Sequence, residues 1–406
     1  VSGLFGETHT GPDACTGVVV VSPVEPAIPT IRQVACPCRL LSTFLDTGGV
    51  TQFSLFNAPT LRRVFVQLAQ STTASVVATA ASSLATVTEG GRVLCWGTDV
   101  ATRQATRQAF DRVQSDLTTG VVSVKATGSA FAALTESGRV VPWGDRTMGG
   151  SLPDDGFYAV TGDRDVLDGG VVSVAATRGA FTAVHEDGRM ACWGSPWQTL
   201  VHDPTALTAP VESVTATEFE FAALLRGGRV VTWGGAGHGV VPAVPVAATS
   251  GVVAVTASLE GAFAARKTTG RVVCWGASGS GGAPADTTIR RLKGVTRVVA
   301  TDAAFAALKR GGSVVVWGND DSGGDAGAAA TDLLTGVTCV VSTNAAFAAL
   351  KSDGRVVAWG NEFSGGDLRE TCHPAGGSRS LRDELVDVIA LASDGRVFTA
   401  TKRDFA

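Results

Sequence analysis

One interval that never changes is the strongest constraint on what this chain can fold into. Seven stretches end in Trp-Gly, at Trp96, Trp143, Trp193, Trp233, Trp275, Trp317 and Trp359. Twelve residues before each Trp stands a large apolar residue: Leu84, then Phe131, Phe181, Phe221, Phe263, Phe305 and Phe347. The distance from one Trp to the next drifts between 40 and 50 residues, while the twelve-residue interval holds. A fixed interval inside a variable one separates a rigid hairpin from tolerant linkers, the signature of a repeat architecture.

The stretch Gly336 to Gly360, G-V-T-C-V-V-S-T-N-A-A-F-A-A-L-K-S-D-G-R-V-V-A-W-G, reads as three strands. Val337 to Ser342 is the first and Phe347 to Lys351 the second, with alternating large and small residues. Ser352-Asp353-Gly354 is a tight turn in which glycine tolerates positive φ. Arg355 to Trp359 is the third strand. Both of its faces are fairly apolar, as expected of a sheet sandwiched between two neighbours.

Two degenerate copies flank the seven. Ile31 to Ser54 places Leu41 and Phe53 at the Phe and Trp positions, and Val388 to Ala400 keeps the S-D-G-R-V turn without the Trp. Units of this length built only from strands predict an all-β fold, a single closed β-propeller rather than a long β-solenoid. Nine hairpins allow seven to nine blades. The expected division is an N-terminal extension over 1–30, with Val18 to Ser22 as a ring-closing strand, and a propeller over 31–406. One inter-unit insertion, Ala101 to Leu117, has a helical pattern.

The pattern V-x-x-V-x-x-x-x-x-x-F-A-A-L-x-x-D-G-R-V-x-x-W-G resembles the regulator of chromosome condensation repeat. The loops Asn319 to Asp325 (N-D-D-S-G-G-D) and Asn361 to Asp367 (N-E-F-S-G-G-D) look closest to the W-G-x-x-x-x-G-G-D variant of marine bacteria and dinoflagellate algae. The propeller-type β-lactamase inhibitor proteins carry similar units. The resemblance covers about residues 31 to 400 and implies a seven-bladed ring with strands shared across repeat boundaries. It speaks to fold far more than to function. No residue here matches an exchange wedge, and the chain lacks a basic tail.

Net charge is −4, with an isoelectric point near 5.8. That balance supplies no overall basic field for a nucleic-acid backbone, so nucleic acid is not an expected partner. The one dense basic run is Arg290, Arg291, Lys293 and Arg297, read as solvated surface. Eight cysteines are too sparse for a disulfide framework. Cys95, Cys192 and Cys274 precede the repeat Trp as small strand residues, Cys36-Pro37-Cys38 is too tight for a zinc knuckle, and Cys15 could meet Cys372 if the ring closes. No apolar run is long enough for a membrane helix. The start at Val1 fits a processed form, in an organelle or secreted.

Chemistry is hard to find. His9, His185, His202, His238 and His373 form no metal spacing, and Cys372-His373 lacks further ligands. Gly234 to Gly239 lacks the lysine and helix of a phosphate loop. The acidic loop Asn319 to Asp325 could wrap calcium but reads better as a turn. The arginines after the turn glycines (Arg92, Arg139, Arg189, Arg229, Arg271, Arg355, Arg396) either line a charged face or pack on the next blade. No cofactor and no metal is expected, and no catalytic residue.

The expected role is therefore a non-catalytic protein-binding scaffold, a subunit of a larger protein assembly. A soluble enzyme inhibitor or regulator acting through one propeller face is the alternative. A channel enzyme would need converging carboxylates or histidines that no repeat position supplies. Contacts are expected on the variable loops 98–119, 145–169, 195–210 and 361–383. The candidate contact residues are Trp197, Phe157, Tyr158, Phe363 and the arginine of the second A-T-R-Q copy, Arg107, which precedes Gln108.

Overall fold

The computed structural model describes residues 18–21, 40–46, 49–55, 74–80, 83–88, 90–97, 108–152, 161–162, 164–199, 206–235, 244–368, 385–393 and 398–402. Each Trp-Gly unit is an antiparallel sheet whose three main strands follow sequence order. In the Trp359 unit they are Val337–Ser342, Ala346–Lys351 and Val356–Gly360. The invariant interval now has a cause. Phe347 lies directly opposite Trp359 across the second and third strands, and the same pairing recurs in all seven units. In six of them the Phe and Trp rings stack, as at 5.1 Å between centroids for Phe131 and Trp143. One residue more or less in the hairpin would send the two rings to opposite faces.

The first strand of every unit carries a β-bulge at its second residue, between Val337 and Cys339 in the Trp359 unit and likewise in the others. A bulge sharpens the local twist and leaves one residue out of the ladder. Where that residue is threonine its hydroxyl folds back: Thr296 Oγ1 donates to the Leu308 carbonyl at 3.1 Å and Thr338 Oγ1 to Leu350 at 3.0 Å. Elsewhere Val122, Val172 and Val253 are left exposed.

First strands of successive units touch one another, from the Trp96 unit (first strand Ala74–Ala80) to the last sheet (Val388–Ser393). They form an inner row, stitched by Thr215 Oγ1 to the Val255 carbonyl at 3.1 Å and Ser342 Oγ to Ala300 at 2.6 Å. Third strands face outward, as Pro142 attests: a residue without an N–H fits only where no neighbour needs one. At the same position of the Trp193 unit, Cys192 instead pairs with a short fourth strand, Thr161–Gly162. These are sheets arranged as propeller blades, and the hydrophobic core is divided among the joints between them. One such cluster joins Ala304, Leu308 and Val314 of the Trp317 unit to Phe347 and Trp359 of the next.

At the termini, Val18–Val21 lies parallel to Phe398–Thr401, so the expected N-terminal strand pairs with the last unit. The hairpin Leu40–Asp46 and Gly49–Leu55 departs from expectation. Leu41 faces Ser54 and Phe53 faces Ser42, so Leu41 and Phe53 do not pair as Phe and Trp do. The turn is the reason. Asp46 opposite Gly49 leaves two residues between the strands, whereas Leu350 opposite Val356 leaves five. The helical insertion is seen over 108–113, followed by a 3-10 turn at Gln114–Leu117. Phe110 from it meets Trp143 edge-on at 5.7 Å. No helix among the described residues is long and apolar enough to cross a membrane.

Candidate interaction surface

Strand order gives the blades two distinct rims. The turns between first and second strands lie on the same side as the loops after Trp-Gly, because each loop donates back to its own turn: Ser195 N–H to the Gly179 carbonyl at 2.8 Å, Asn361 N–H to Ala345 at 2.9 Å. This side is the loop face. The Gly-Arg hairpins between second and third strands lie on the other, the hairpin face. A relay of backbone bonds links the turns of the loop face from unit to unit. Gly128 N–H donates to the Arg178 carbonyl at 2.6 Å, Arg178 N–H to Glu218 at 2.7 Å, and Glu218 N–H to Leu259 at 2.7 Å; Glu260, Asp302 and Asn344 continue it.

On the loop face, three of the described joints are closed by one device. After Trp317 the chain makes a 3-10 turn, Asp320–Ser322, and Gly323 follows with φ near 90°. Gly323 lies against the next unit's Phe347: a Cβ there would sit 2.7 Å from Cδ2. Its carbonyl accepts the Trp359 indole N–H at 3.2 Å, while Thr301 Oγ1 donates to the Ser322 carbonyl at 3.0 Å. Gly149 and Gly281 do the same for Trp193 and Trp317, at 3.0 and 3.1 Å. The loop Asn319 to Asp325 is thus an inter-blade clasp. Asp325 Oδ1 accepts from Gly327 N–H, and no metal-holding group of side chains occurs among the described residues.

The joint after Trp193 is built differently. The sequence Ser195-Pro196-Trp197-Gln198 has no glycine pair and forms a one-turn helix, Pro196–Thr199. The Gln198 side chain replaces the missing loop carbonyl, accepting from Thr177 Oγ1 at 2.6 Å and from Gly179 N–H at 2.9 Å. Anchored this way, the helix holds Trp197 outward with 66% of its surface exposed. The Trp233 indole N–H of the next unit has no hydrogen-bond acceptor among the described residues; the Cys192 thiol, a weak acceptor, lies beside it.

Two residues after Glu218, Glu220 occupies the strand position held by Ala130, Ala180, Ala262, Ala304 and Ala346 in sister units. Its Oε2 is buried without a partner among the described residues, and desolvation pushes its carboxyl above the usual range, partly opposed by the Thr217 hydroxyl. Arg178 and Glu218 pair beside it at 2.8 Å, and Leu259 is exposed at the next turn.

Phe363 is 65% exposed and lies four residues after its unit's Trp, the same offset as Trp197. The two candidate aromatics therefore share one face and one repeat position, in units that are not neighbours. Gln108 is exposed on the helix over 108–113. Phe157, Tyr158 and Arg107 lie outside the described residues, as do Cys15, Cys36, Cys38 and Cys372. Sequence reading passed over Gln198 and Glu220. Glu220 was visible as the one acid in a column of five alanines and Ser83.

On the hairpin face two repeat arginines are held by their own turns. Arg189 Nε meets Asp187 Oδ2 at 2.8 Å and Arg355 Nε meets Asp353 Oδ2 at 2.8 Å. The Arg189 backbone N–H, and then its guanidinium, hold the Asp187 carboxyl well below the usual carboxylate range. His185 Nδ1 also touches Asp187 at 2.8 Å. Burial pushes the Cys192 and Cys274 thiols up to about 12, which leaves them protonated and poor nucleophiles at neutral pH.

No family model matches the chain, and no curated protein matches it. Among solved structures it is similar to the ectodomain of the Physcomitrella patens receptor kinase CR4, at 18% identity and a TM-score of 0.41 over 71% of this chain and 74% of that one. It is also similar to yeast RCC1 (Prp20) in complex with Kap60, at 16% identity and a TM-score of 0.41 over 80% and 79%. Human WBSCR16 follows at 15% identity and a TM-score of 0.38 over 80% and 86%. Superposition this loose adds nothing to what the sheets themselves show.

Proposed function

We propose that this chain is a non-catalytic protein-binding scaffold, a subunit of a larger protein assembly, that meets its partner through the loop face. Residues 31–406 would form a propeller closed by the terminal sheet in which both ends of the described chain pair, with 1–30 as an extension. The observation that carries the reading is the contrast among aromatics. The Phe and Trp rings of six repeats are buried in the joints, whereas Trp197 and Phe363 stand in water at equivalent positions of one rim. Solvated aromatics held on short anchored helical turns are the kind of side chain that dominates binding energy at protein interfaces.

The test is hydroxyl-radical footprinting of the native complex against the isolated chain. Protection of Trp197 and Phe363, together with loss of co-purification in the Trp197→Ala, Phe363→Ala double variant, is the expected outcome. For one central aromatic the loss in affinity should be about tenfold or more. A partner that protects neither residue would overturn the assignment to this face; a chain that is monomeric in its native source would overturn the scaffold itself.

A further inference from the structure

The net charge of −4 hides two rims of opposite character. Exposed acids punctuate the loop face, among them Glu260, Asp320, Asp321 and Glu362. The hairpin face of three consecutive units is basic. In the Trp143, Trp193 and Trp359 units the hairpins carry an acid, and in the last two it pairs with the arginine after the turn glycine. In the Trp233, Trp275 and Trp317 units the hairpins read Arg226-Gly-Gly-Arg229, Lys267-Thr-Thr-Gly-Arg271 and Lys309-Arg310-Gly-Gly-Ser313, with no acid at all. Arg226, Arg229, Arg271 and Arg310 are exposed there, and none has a carboxylate partner among the described residues.

The basic run of the sequence belongs to the same surface. Gly294, which follows Arg290, Arg291 and Lys293, accepts from Arg310 N–H at 2.9 Å, and Val295 N–H donates to the Gly270 carbonyl at 2.9 Å. Those two bonds fix the run between the Arg271 and Arg310 hairpins. Arg297 is exposed on the adjoining first strand. Against these cations stand Asp286, exposed on the short helix Asp286–Arg291 that carries Arg290 and Arg291, Glu212, exposed on the first strand of the Trp233 unit, and Glu186 of the preceding hairpin, whose backbone carbonyl accepts from Arg226. Aliphatic side chains are interleaved with the charges: Val246, Val253 and Ile289 are all exposed in the same sector.

We propose that this sector of the hairpin face is a second docking surface, and that its partner is an acidic protein segment carrying apolar side chains. Guanidinium groups match carboxylates in bidentate geometry, and their number calls for an anionic partner. A phosphate backbone would satisfy the arginines but leave Val246, Val253 and Ile289 uncovered, and the exposed large apolar residues of the sector include no aromatic ring on which a base could stack. An acidic segment with apolar residues satisfies both sets, the mode by which arginine clusters read acidic motifs. The inference rests on the protein-binding reading but uses the opposite face, so each can fail alone.

The test is fluorescence anisotropy of the full chain with three labelled probes of equal charge: a peptide of mixed Asp, Glu and Leu, a polyglutamate peptide and a thymidine oligonucleotide. The mixed peptide should bind about tenfold tighter than either other probe at physiological salt, since only it offers apolar cover as well as charge. The variant Arg271→Glu, Arg290→Glu, Arg310→Glu should lose that binding by about tenfold or more, and Trp197→Ala should leave it unchanged. Because charge reversal can disturb the fold, the Arg→Gln triple variant and its thermal midpoint accompany it. Equal or tighter binding of the oligonucleotide would make the surface a nucleic-acid site and overturn the proposal. So would mixed-peptide binding that the charge variants leave intact, or its absence.

Discussion

The joints after Trp317 and after Trp193 do one job by two routes. The first is made of backbone: a glycine carbonyl caps the next indole, and a threonine hydroxyl pins the loop. The second is made of side chain: Gln198 stands in for the carbonyl, the next indole is left uncapped, and a tryptophan is turned out to solvent. The difference separates a joint shaped for closure from one in which closure is subordinate to presenting a residue. Buried polar groups without partners cost stability; among the described residues Trp233 Nε1 and Glu220 Oε2 are two such atoms in the diverged unit, and Trp143 Nε1, Trp275 Nε1 and Thr399 Oγ1 are others elsewhere.

The largest effect expected from breaking this comparison is at the clasp glycines. Gly281→Ala adds a Cβ at 2.8 Å from Phe305 Cδ2 on a backbone with φ near 95°. We expect a loss of about 3 kcal/mol, combining overpacking with left-handed strain. Gly279, two residues earlier in the same loop, has open space around it, and Gly279→Ala should fall within about 0.5 kcal/mol of the parent. Urea unfolding of the pair gives the contrast directly. Equal losses would mean that the clasp contact is not the cause.

A smaller difference should distinguish the indoles. Trp359→Phe leaves the Gly323 carbonyl without its donor, whereas Trp233→Phe removes an N–H that has only the weakly accepting Cys192 thiol beside it among the described residues. Both lose buried area, so the useful quantity is the gap between them, about 1–2 kcal/mol in favour of the Trp233 variant. Chemical denaturation of the two variants under one set of conditions measures it.

The smallest concerns Glu220. Its carboxyl is raised in the folded state by desolvation, so the folded chain holds the proton more tightly than the unfolded one. The associated stability is fully present below the ordinary carboxylate value and is lost as pH rises through the raised one. Glu220→Ala, which restores the residue of the sister units, should add about 1 kcal/mol at neutral pH and little at pH 4. Thermal melts of parent and variant across that range should converge on acidification. A gap independent of pH would point to packing instead.

Much of the blade was legible because it obeys a period. The Phe347–Trp359 pair, the turn at Gly354 and the strand Val337–Ser342 all follow from alternation and one fixed interval. The N-terminal hairpin was misread where the interval survived by coincidence: Leu41 and Phe53 are twelve apart, yet a shorter turn shifts the register under them. Trp197 and Phe363 were picked out as loop aromatics, but their equivalence shows only when each is counted from its own Trp. The basic sector was illegible for another reason. Arg229, Arg271 and Arg310 are some 40 residues apart in sequence, and only the strand order brings the hairpins that carry them to one rim.

The relay of backbone bonds between the turns of the loop face has a consequence for how such a molecule can change. From Gly128 to Asn344 each bond joins an N–H to a carbonyl, groups that every residue but proline supplies. That stretch of the rim is therefore fastened by an arc of bonds that does not read the side chains hung upon it. Exchange of Arg178, Glu218 or Leu259 removes at most an exposed ion pair and keeps these backbone bonds, so the face they present can be rewritten while the relay that carries it stays in place.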